Sequence, residues 1–418
     1  MNSITIIKSN KESFFSYCWK QFRRLAKSQK WLYFLYALIL IPNLRILFRA
    51  VELRTGLSFF TDYSDAFFII IAALGSFAVL WKEIQFKDVI FVLFLIAFHQ
   101  FSAYLFPVTA PFSEENAMRF ILYNLPCYFV GLTINNRSSL ALFIAISFLS
   151  LALQVLFRSV LGTGVNEQGD AVTDMMTEAY DFLPAVLFVL WYAFERKSLM
   201  EIFFAVMAVF LLMSMGTRGP VVCIVLFAAI YFLFFKRFKY NALIKTLIAM
   251  VAIIFSFFSL EIALLLSVIA SSLGLSTRVF DRIVGENGQS QYFESAGRDE
   301  IVDNVTNYLT NNSSLWGDGL YADRIYSGNI YAHNLELELL CDFGWVGGTM
   351  LIIMLLLFIL IAFNKSLKND GYIFMLVFFF PSIMQLQFSG SFLNTPVFWM
   401  FIGICVAMIR SKRVALKQ

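Results

Sequence analysis

The chain has 418 residues, of which 60% are hydrophobic and 17% aromatic, while only 14% carry charge. Soluble domains carry about 25% charged residues, so a water-exposed globular fold is excluded and most side chains must face lipid or one another. The net charge of +4 says little until the charges are placed, and no nucleic-acid partner is expected. Cys18, Cys127, Cys223, Cys341 and Cys405 show no metal or redox spacing and read as small hydrophobes. The N-terminal segment is basic and its first apolar run lacks a small-residue cleavage site, so no cleavable signal peptide is expected.

Apolar stretches suited to crossing ~30 Å of hydrocarbon fall at 31–48, 65–81, 88–106, 117–133, 138–157, 179–194, 198–216, 219–235, 242–260, 346–363, 371–387 and 396–410. No fixed-period repeat and no Pro-, Gly- or Ser-rich linker interrupts them. The expected fold is all-α: one integral membrane domain over 1–418, with about twelve transmembrane helices. Residues 242–274 form a run broken only by Lys245 and Glu261, read as one span followed by an amphipathic segment.

With the N-terminus inside, the cytoplasmic segments hold 22 of the 32 basic residues, including all fifteen lysines. The other ten are all arginine: Arg45, Arg49, Arg54, Arg119, Arg158, Arg218, Arg278, Arg282, Arg298 and Arg324. This bias predicts that both termini are cytoplasmic. Lysine is a hydrated point charge, whereas the planar guanidinium pairs bidentately with phosphate or carboxylate. A far side that uses arginine alone is suited either to binding an anion or to pairing with the local acids Glu294, Asp299, Glu300, Asp303, Asp318 and Asp323.

A large outer loop is expected at about 275–334, with a helix near 297–311 and a turn at Trp316-Gly317-Asp318-Gly319. A shorter acidic loop at 158–178 is placed to gate access. Gly216-Thr217-Arg218-Gly219-Pro220 joins two apolar stretches by a hairpin. Pro220 fits the first turn of the helix that follows, and a helix start with an added arginine invites an anion. The plain alternative is an interfacial arginine that marks the turn.

His333, in Tyr331-Ala332-His333-Asn334, is one of two histidines and has the pKa range for proton transfer near neutrality. Equally, Asn334 can cap a helix whose Glu336 and Glu338 complement the dipole. Arg298 and Arg324 either clamp a diphosphate or pair with neighbouring acids. His99, inside the 88–106 span, reads as a hydrogen-bonding group within a helix bundle. No P-loop, nucleotide fingerprint, metal-ligand cluster or Ser-His-Asp pattern is present, so an enzyme of this kind needs a substrate that carries its own activation.

In order and spacing, GTRGP (216–220), GRDEI (297–301), GDG (317–319), His333-Asn334 and Gly344-Trp345-Val346-Gly347 resemble the O-antigen polymerase/O-antigen ligase family of bacterial polysaccharide assembly. The resemblance covers about residues 198–363. The chain departs from it at Asp299-Glu300-Ile301-Val302, where many members carry an aromatic residue.

The resemblance implies a glycosyltransferase at the periplasmic face of the bacterial inner membrane. Its donor and acceptor would be glycans on undecaprenyl diphosphate, with no cofactor or metal and with a possible chain-length regulator as partner. Arg218 would bind the donor diphosphate and His333 would stand at the reacting centre. Arg298, Arg324 and Asn334 are further candidates for holding the diphosphate or the sugar chain. Transfer to a new repeat unit (a polymerase) and transfer to lipid A-core (a ligase) share the donor site and differ in acceptor. The GTRGP turn looks more like that of polymerase members. A flippase or other transporter would place charges along mid-membrane helices and break helices in matching halves; the expected spans are nearly charge-free. A purely structural membrane subunit is the remaining alternative.

Overall fold

A computed structural model describes residues 55, 84–134, 137–161, 175–196, 198–215, 217–235, 259–273, 298–312, 315–328, 331–367 and 371–410, and among these residues it contains helices and turns but no strand. In chain order the helices are α1 (Phe86–Leu105), α2 (Ala110–Arg119), α3 (Leu125–Leu132), α4 (Arg137–Leu161), α5 (Met175–Arg196) and α6 (Leu199–Met213). There follow α7 (Arg218–Ile230), α8 (Ser259–Ser272), α9 (Arg298–Asn312), α10 (Ala322–Tyr326), α11 (Leu335–Ser366), α12 (Tyr372–Phe379) and α13 (Pro396–Arg410). The expected all-helical class holds. The predicted spans at 31–48 and 65–81, nearly all of 242–260, and most of the 158–178 loop lie outside the described residues. The other apolar stretches each coincide with a helix.

Three of those helices carry a wider π turn: Phe120–Asn124 joins α2 to α3, Tyr231–Phe235 extends α7, and Phe380–Met384 extends α12. α1 and α11 are long and apolar enough to cross a membrane, and only 17% and 11% of their most apolar windows is buried. On them Leu93, Phe94, Met350, Ile353, Met354 and Leu360 all stay exposed, as on helices that face lipid. α8, in the segment expected to be amphipathic, turns Leu265 and Val268 outward.

The chain forms two compact units that interleave along the sequence. One comprises Met1–Ser13, Ala37–Asp65 and Phe143–Glu294. Its centre is α5, whose Leu183, Val186 and Leu187 are fully buried. Phe188 of α5 stacks on Phe143 of α4 at 5.4 Å between ring centroids. Tyr231, in the π turn after α7, donates its hydroxyl to Glu195 of α5.

The other unit comprises Phe14–Tyr36, Ala66–Leu142 and Ser295–Gln418. In it α3 and α13 cross with their backbones touching. A Cβ on Gly131 would lie 2.1 Å from the Met400 carbonyl oxygen, and one on Gly403 would lie 2.1 Å from that of Tyr128. Only small residues permit this approach. Arg410 closes the same end of the unit, forking onto the buried carboxylate of Asp88 in the first turn of α1 at 2.7 and 2.5 Å. Tyr128 adds a hydroxyl to Asp88 at 3.0 Å.

Toward the opposite end of α1, Ser102 accepts the Leu320 N–H at 2.9 Å. Fourteen residues separate Asp88 from Ser102, about 21 Å of helix at 1.5 Å per residue. His99 behaves as a hydrogen-bonding bundle group: it is buried, stacks on Phe120 at 5.0 Å and places Nε2 3.3 Å from the Tyr321 hydroxyl.

α11 is not straight. Gly344 takes φ 71, ψ 178, a conformation open only to glycine, and splits the helix into a short first part and a long apolar second part. The break strips the Cys341 and Asp342 carbonyls and the Val346 N–H of their helical partners. The turn at 315–319 supplies replacements. Asp318 N–H donates to Cys341 at 3.1 Å, Gly319 N–H to Asp342 at 3.2 Å, and Val346 N–H to Leu315 at 3.3 Å. Gly317 and Gly344 meet backbone to backbone, since a Cβ on Gly344 would lie 2.3 Å from the Gly317 nitrogen.

Gly344→Ala should therefore cost on the order of 3 kcal/mol, from the forbidden backbone conformation together with overpacking. Thermal unfolding of the detergent-solubilised protein and limited proteolysis of the 313–330 segment measure this. A variant as stable and as protease-resistant as the wild type contradicts the lock.

Candidate functional site

The 298–334 segment carries a small core of its own. Val305 and Leu309 of α9, spaced for one helix face, pack with Ala322, Ala332 and Cys341. Asp318, the central residue of the Gly-Asp-Gly turn, accepts hydroxyls from Tyr308 and, at 3.3 Å, from Tyr326. Those two rings stack with centroids 3.4 Å apart. Burial and the Asp318 carboxylate raise both phenol pKa values, so they remain hydrogen-bond donors. α9, α10 and the turn thus form one body, docked on the first part of α11.

His333 stands where this body returns to α11. Its φ is +55, a left-handed backbone that costs a residue with a Cβ about 1–2 kcal/mol. Bonds on either side hold it there. The preceding Ala332 N–H donates to the buried Asp323 carboxylate at 2.7 Å. The following Asn334 caps α11 as expected, its side-chain oxygen accepting the Leu337 N–H at 2.9 Å. Asp323 is fixed in turn, because Ala322 at the start of α10 donates its N–H to Asp342 of α11 at 3.0 Å.

The imidazole packs against Tyr331 at 4.3 Å, and its Nδ1 has no hydrogen-bond partner among the described residues. Burial, and after it the charge of Arg298, lowers the His333 pKa to about 4 against a smaller opposing effect of a backbone hydrogen bond at Phe388. The ring is therefore neutral at physiological pH, with one nitrogen free to accept a proton.

A wall of polar groups backs the histidine. The segment after α12 does not simply reverse into α13. It narrows to a 3-10 turn at Gln385–Gln387, bends at Gly390 (φ 93) and then meets the His333 loop through polar contacts. Gln387 donates to Glu336 at 3.2 Å, and Tyr331 and Ser389 pair their hydroxyls at 3.3 Å. Glu338 accepts the Ser391 hydroxyl and the Phe392 N–H. Arg324 is 8% exposed, lies 4.6 Å over the Tyr321 ring and reaches the Asn394 amide oxygen at 2.7 Å. Its Nε has no partner among the described residues. It shares the interior with the buried carboxyls of Asp323, Glu338 and Asp342. Burial raises the Asp323 pKa to about 6, against the Ala332 N–H and the Arg324 charge.

The unit thus gathers His333, Asn334, Arg324 and, through its electrostatic effect on His333, Arg298. Arg218 opens α7 behind Thr217, with Pro220 in the first turn, and belongs to the other unit; its side chain lies outside the described residues. The structure adds Asp323, Glu336 and the 385–395 hairpin. The hairpin has a readable signal, the polar run QLQFSGSFLNT between two apolar stretches. Among the described residues no group of His, Cys, Asp and Glu is arranged to hold a metal. The chain matches no protein-family model, no curated protein and no solved structure.

The two shifted groups oppose each other in acid. His333 is held below the ordinary value of 6.5, so its contribution to stability is lost as pH falls from 6.5 toward about 4. Asp323 is held above 3.8, so its contribution is lost as pH rises from 3.8 toward about 6. Asp323→Asn should accordingly steepen the loss of stability on the acid side, seen as a larger fall in melting temperature between pH 6.5 and 4. Nitrogen NMR of the two histidines should find His333 neutral down to about pH 5. An imidazole that titrates near 6.5 would mean an open, solvated loop.

Proposed function

We propose that this chain is a membrane glycosyltransferase that polymerises glycan repeat units carried on undecaprenyl diphosphate at the periplasmic face of the bacterial inner membrane. In this reading about twelve helices cross the bilayer, both termini are cytoplasmic and the 275–334 loop is periplasmic. The basic-residue bias supports that orientation, and so does the location of the Asp88–Arg410 pair toward the opposite end of α1 from the loop contact at Ser102.

The observation that carries the chemical reading is His333: a neutral imidazole with a free nitrogen, held in a costly backbone conformation beside a positive charge. Strain maintained by surrounding bonds is a mark of functional loops. In the proposed reaction a hydroxyl of the acceptor sugar attacks the anomeric carbon of the donor. The bond from that carbon to the diphosphate oxygen breaks, undecaprenyl diphosphate leaves, and the hydroxyl proton passes to His333. A single displacement inverts the anomeric configuration. Arg298, whose charge reaches His333, steadies the charge that grows on the leaving diphosphate, where a fixed guanidinium acts without reorganising; Arg218 is a donor-binding residue by the family resemblance alone. Asn334 keeps the start of α11 rigid next to the reacting atoms. The donor brings its own leaving group, so this chemistry calls for neither nucleotide nor metal.

Arg218→Ala and His333→Ala should each reduce chain lengthening on the order of 100-fold or more, a loss of the size seen for a lost general base or charge stabiliser, while the protein still inserts. Arg218→Lys should also be poor, because an ammonium cannot grip phosphate bidentately. Glycan ladders from cells expressing each variant measure this, and long chains from either alanine variant refute the mechanism. A deletion strain separates the acceptors: one repeat unit on lipid A-core indicates a polymerase, and none indicates a ligase.

A further inference from the structure

We infer that the polar hairpin after α12 is the acceptor side of the site, where Glu336 and Gln387 together hold the hydroxyls of an uncharged sugar against His333; this rests on the glycosyltransferase reading above. The hairpin is costly to build. A tight turn would suffice to join two apolar helices, yet this chain uses a π turn, a 3-10 turn and a glycine at φ 93. The result presents Gln387 and Ser389 to the His333 loop. Gln387 bridges the two sides, donating to Glu336 at 3.2 Å and lying 3.5 Å from the Asn334 amide nitrogen.

The bridge leaves capacity unused. Glu336 holds one oxygen, Oε2, with no partner among the described residues, and Nδ1 of His333 is equally unpartnered. Gln387 keeps a second N–H and its oxygen meets only the long contact to Asn334. A carboxylate and a carboxamide side by side accept from and donate to neighbouring hydroxyls, which is the hydrogen-bonding pattern a pyranose ring offers. Tyr331, half-buried against the imidazole, supplies an apolar edge.

Charge decides which substrate lies here. The carboxylate of Glu336 repels a diphosphate and suits hydroxyl donors. The positive charge that His333 feels comes from Arg298 at the start of α9. The Arg298 charge suits a leaving diphosphate, and the Glu336 carboxylate suits an incoming alcohol.

The test uses full-length protein in detergent, with lipid-linked repeat units extracted from the source cells as donor and acceptor. The competing probe is the free oligosaccharide released from those units by mild acid, which has neither lipid nor diphosphate. It should inhibit wild-type transfer, and Gln387→Ala and Glu336→Gln should each weaken that inhibition about tenfold, the effect of one lost hydrogen bond to a charged or amide group. Rates at saturating lipid-linked substrate should fall much less, and Ser366→Ala, remote from the hairpin, should leave both unchanged. Inhibition constants equal to wild type in both hairpin variants overturn the inference, as does a loss confined to the rate. If the wild-type protein transfers nothing, the function reading fails on its own. Saturation-transfer NMR with the free oligosaccharide then still decides the subsite, through binding in wild type that Gln387→Ala removes.

Discussion

A helix that breaks inside its own length leaves backbone groups that water or other backbone must satisfy. At Gly344 the chain puts such a break next to a second glycine-rich turn, and each repairs the other. The Cys341 and Asp342 carbonyls take the Asp318 and Gly319 amides, while the Val346 amide finds the Leu315 carbonyl. Neither partner can leave alone without exposing polar groups in apolar surroundings. The rest of the 298–334 segment follows from this docking. It places α10 where Asp342 can hold it, and α10 places Asp323 where it can hold Ala332. His333 is the last link of that series, and its left-handed backbone is the strain the series sustains.

The electrostatics of the interior are of the same kind. Asp323, Glu338 and Asp342 are all nearly inaccessible, and each accepts a backbone N–H. They bind pieces of chain to one another first, in an interior they share with the buried guanidinium of Arg324. Removing any one leaves a backbone donor stranded as well as altering the local charge. Burial and the charge of Arg298, not these acids, hold the His333 pKa below its ordinary value.

Much of this frame could be read from residues alone. α13 runs over 396–410 as its apolar pattern predicts, because Pro396 and Arg410 bracket it. α9 lies one residue from its expected place, and Asn334 caps α11 because its side chain suits no other position so well. Gly344 hid the join between the two parts of α11: a glycine before a long apolar run looks like an end, and only the docked turn reveals a bend. The polar hairpin was missed for a related reason. Gln385 and Gln387 sit at the edge of an apolar stretch, and nothing local shows that they face residues some fifty positions earlier. Neighbouring acids are one of the two sequence readings for Arg324, but its burial among them becomes legible only once its neighbours in space are known.

The contacts around His333 draw on widely separated stretches: α1 through Ser102 and His99, the docked segment, and the hairpin that precedes the last helix. During synthesis the early helix must wait, incomplete, until nearly the whole polypeptide has left the ribosome. Long-range closure of this kind is slow relative to local helix formation. A truncated or half-translated chain therefore has no assembled centre.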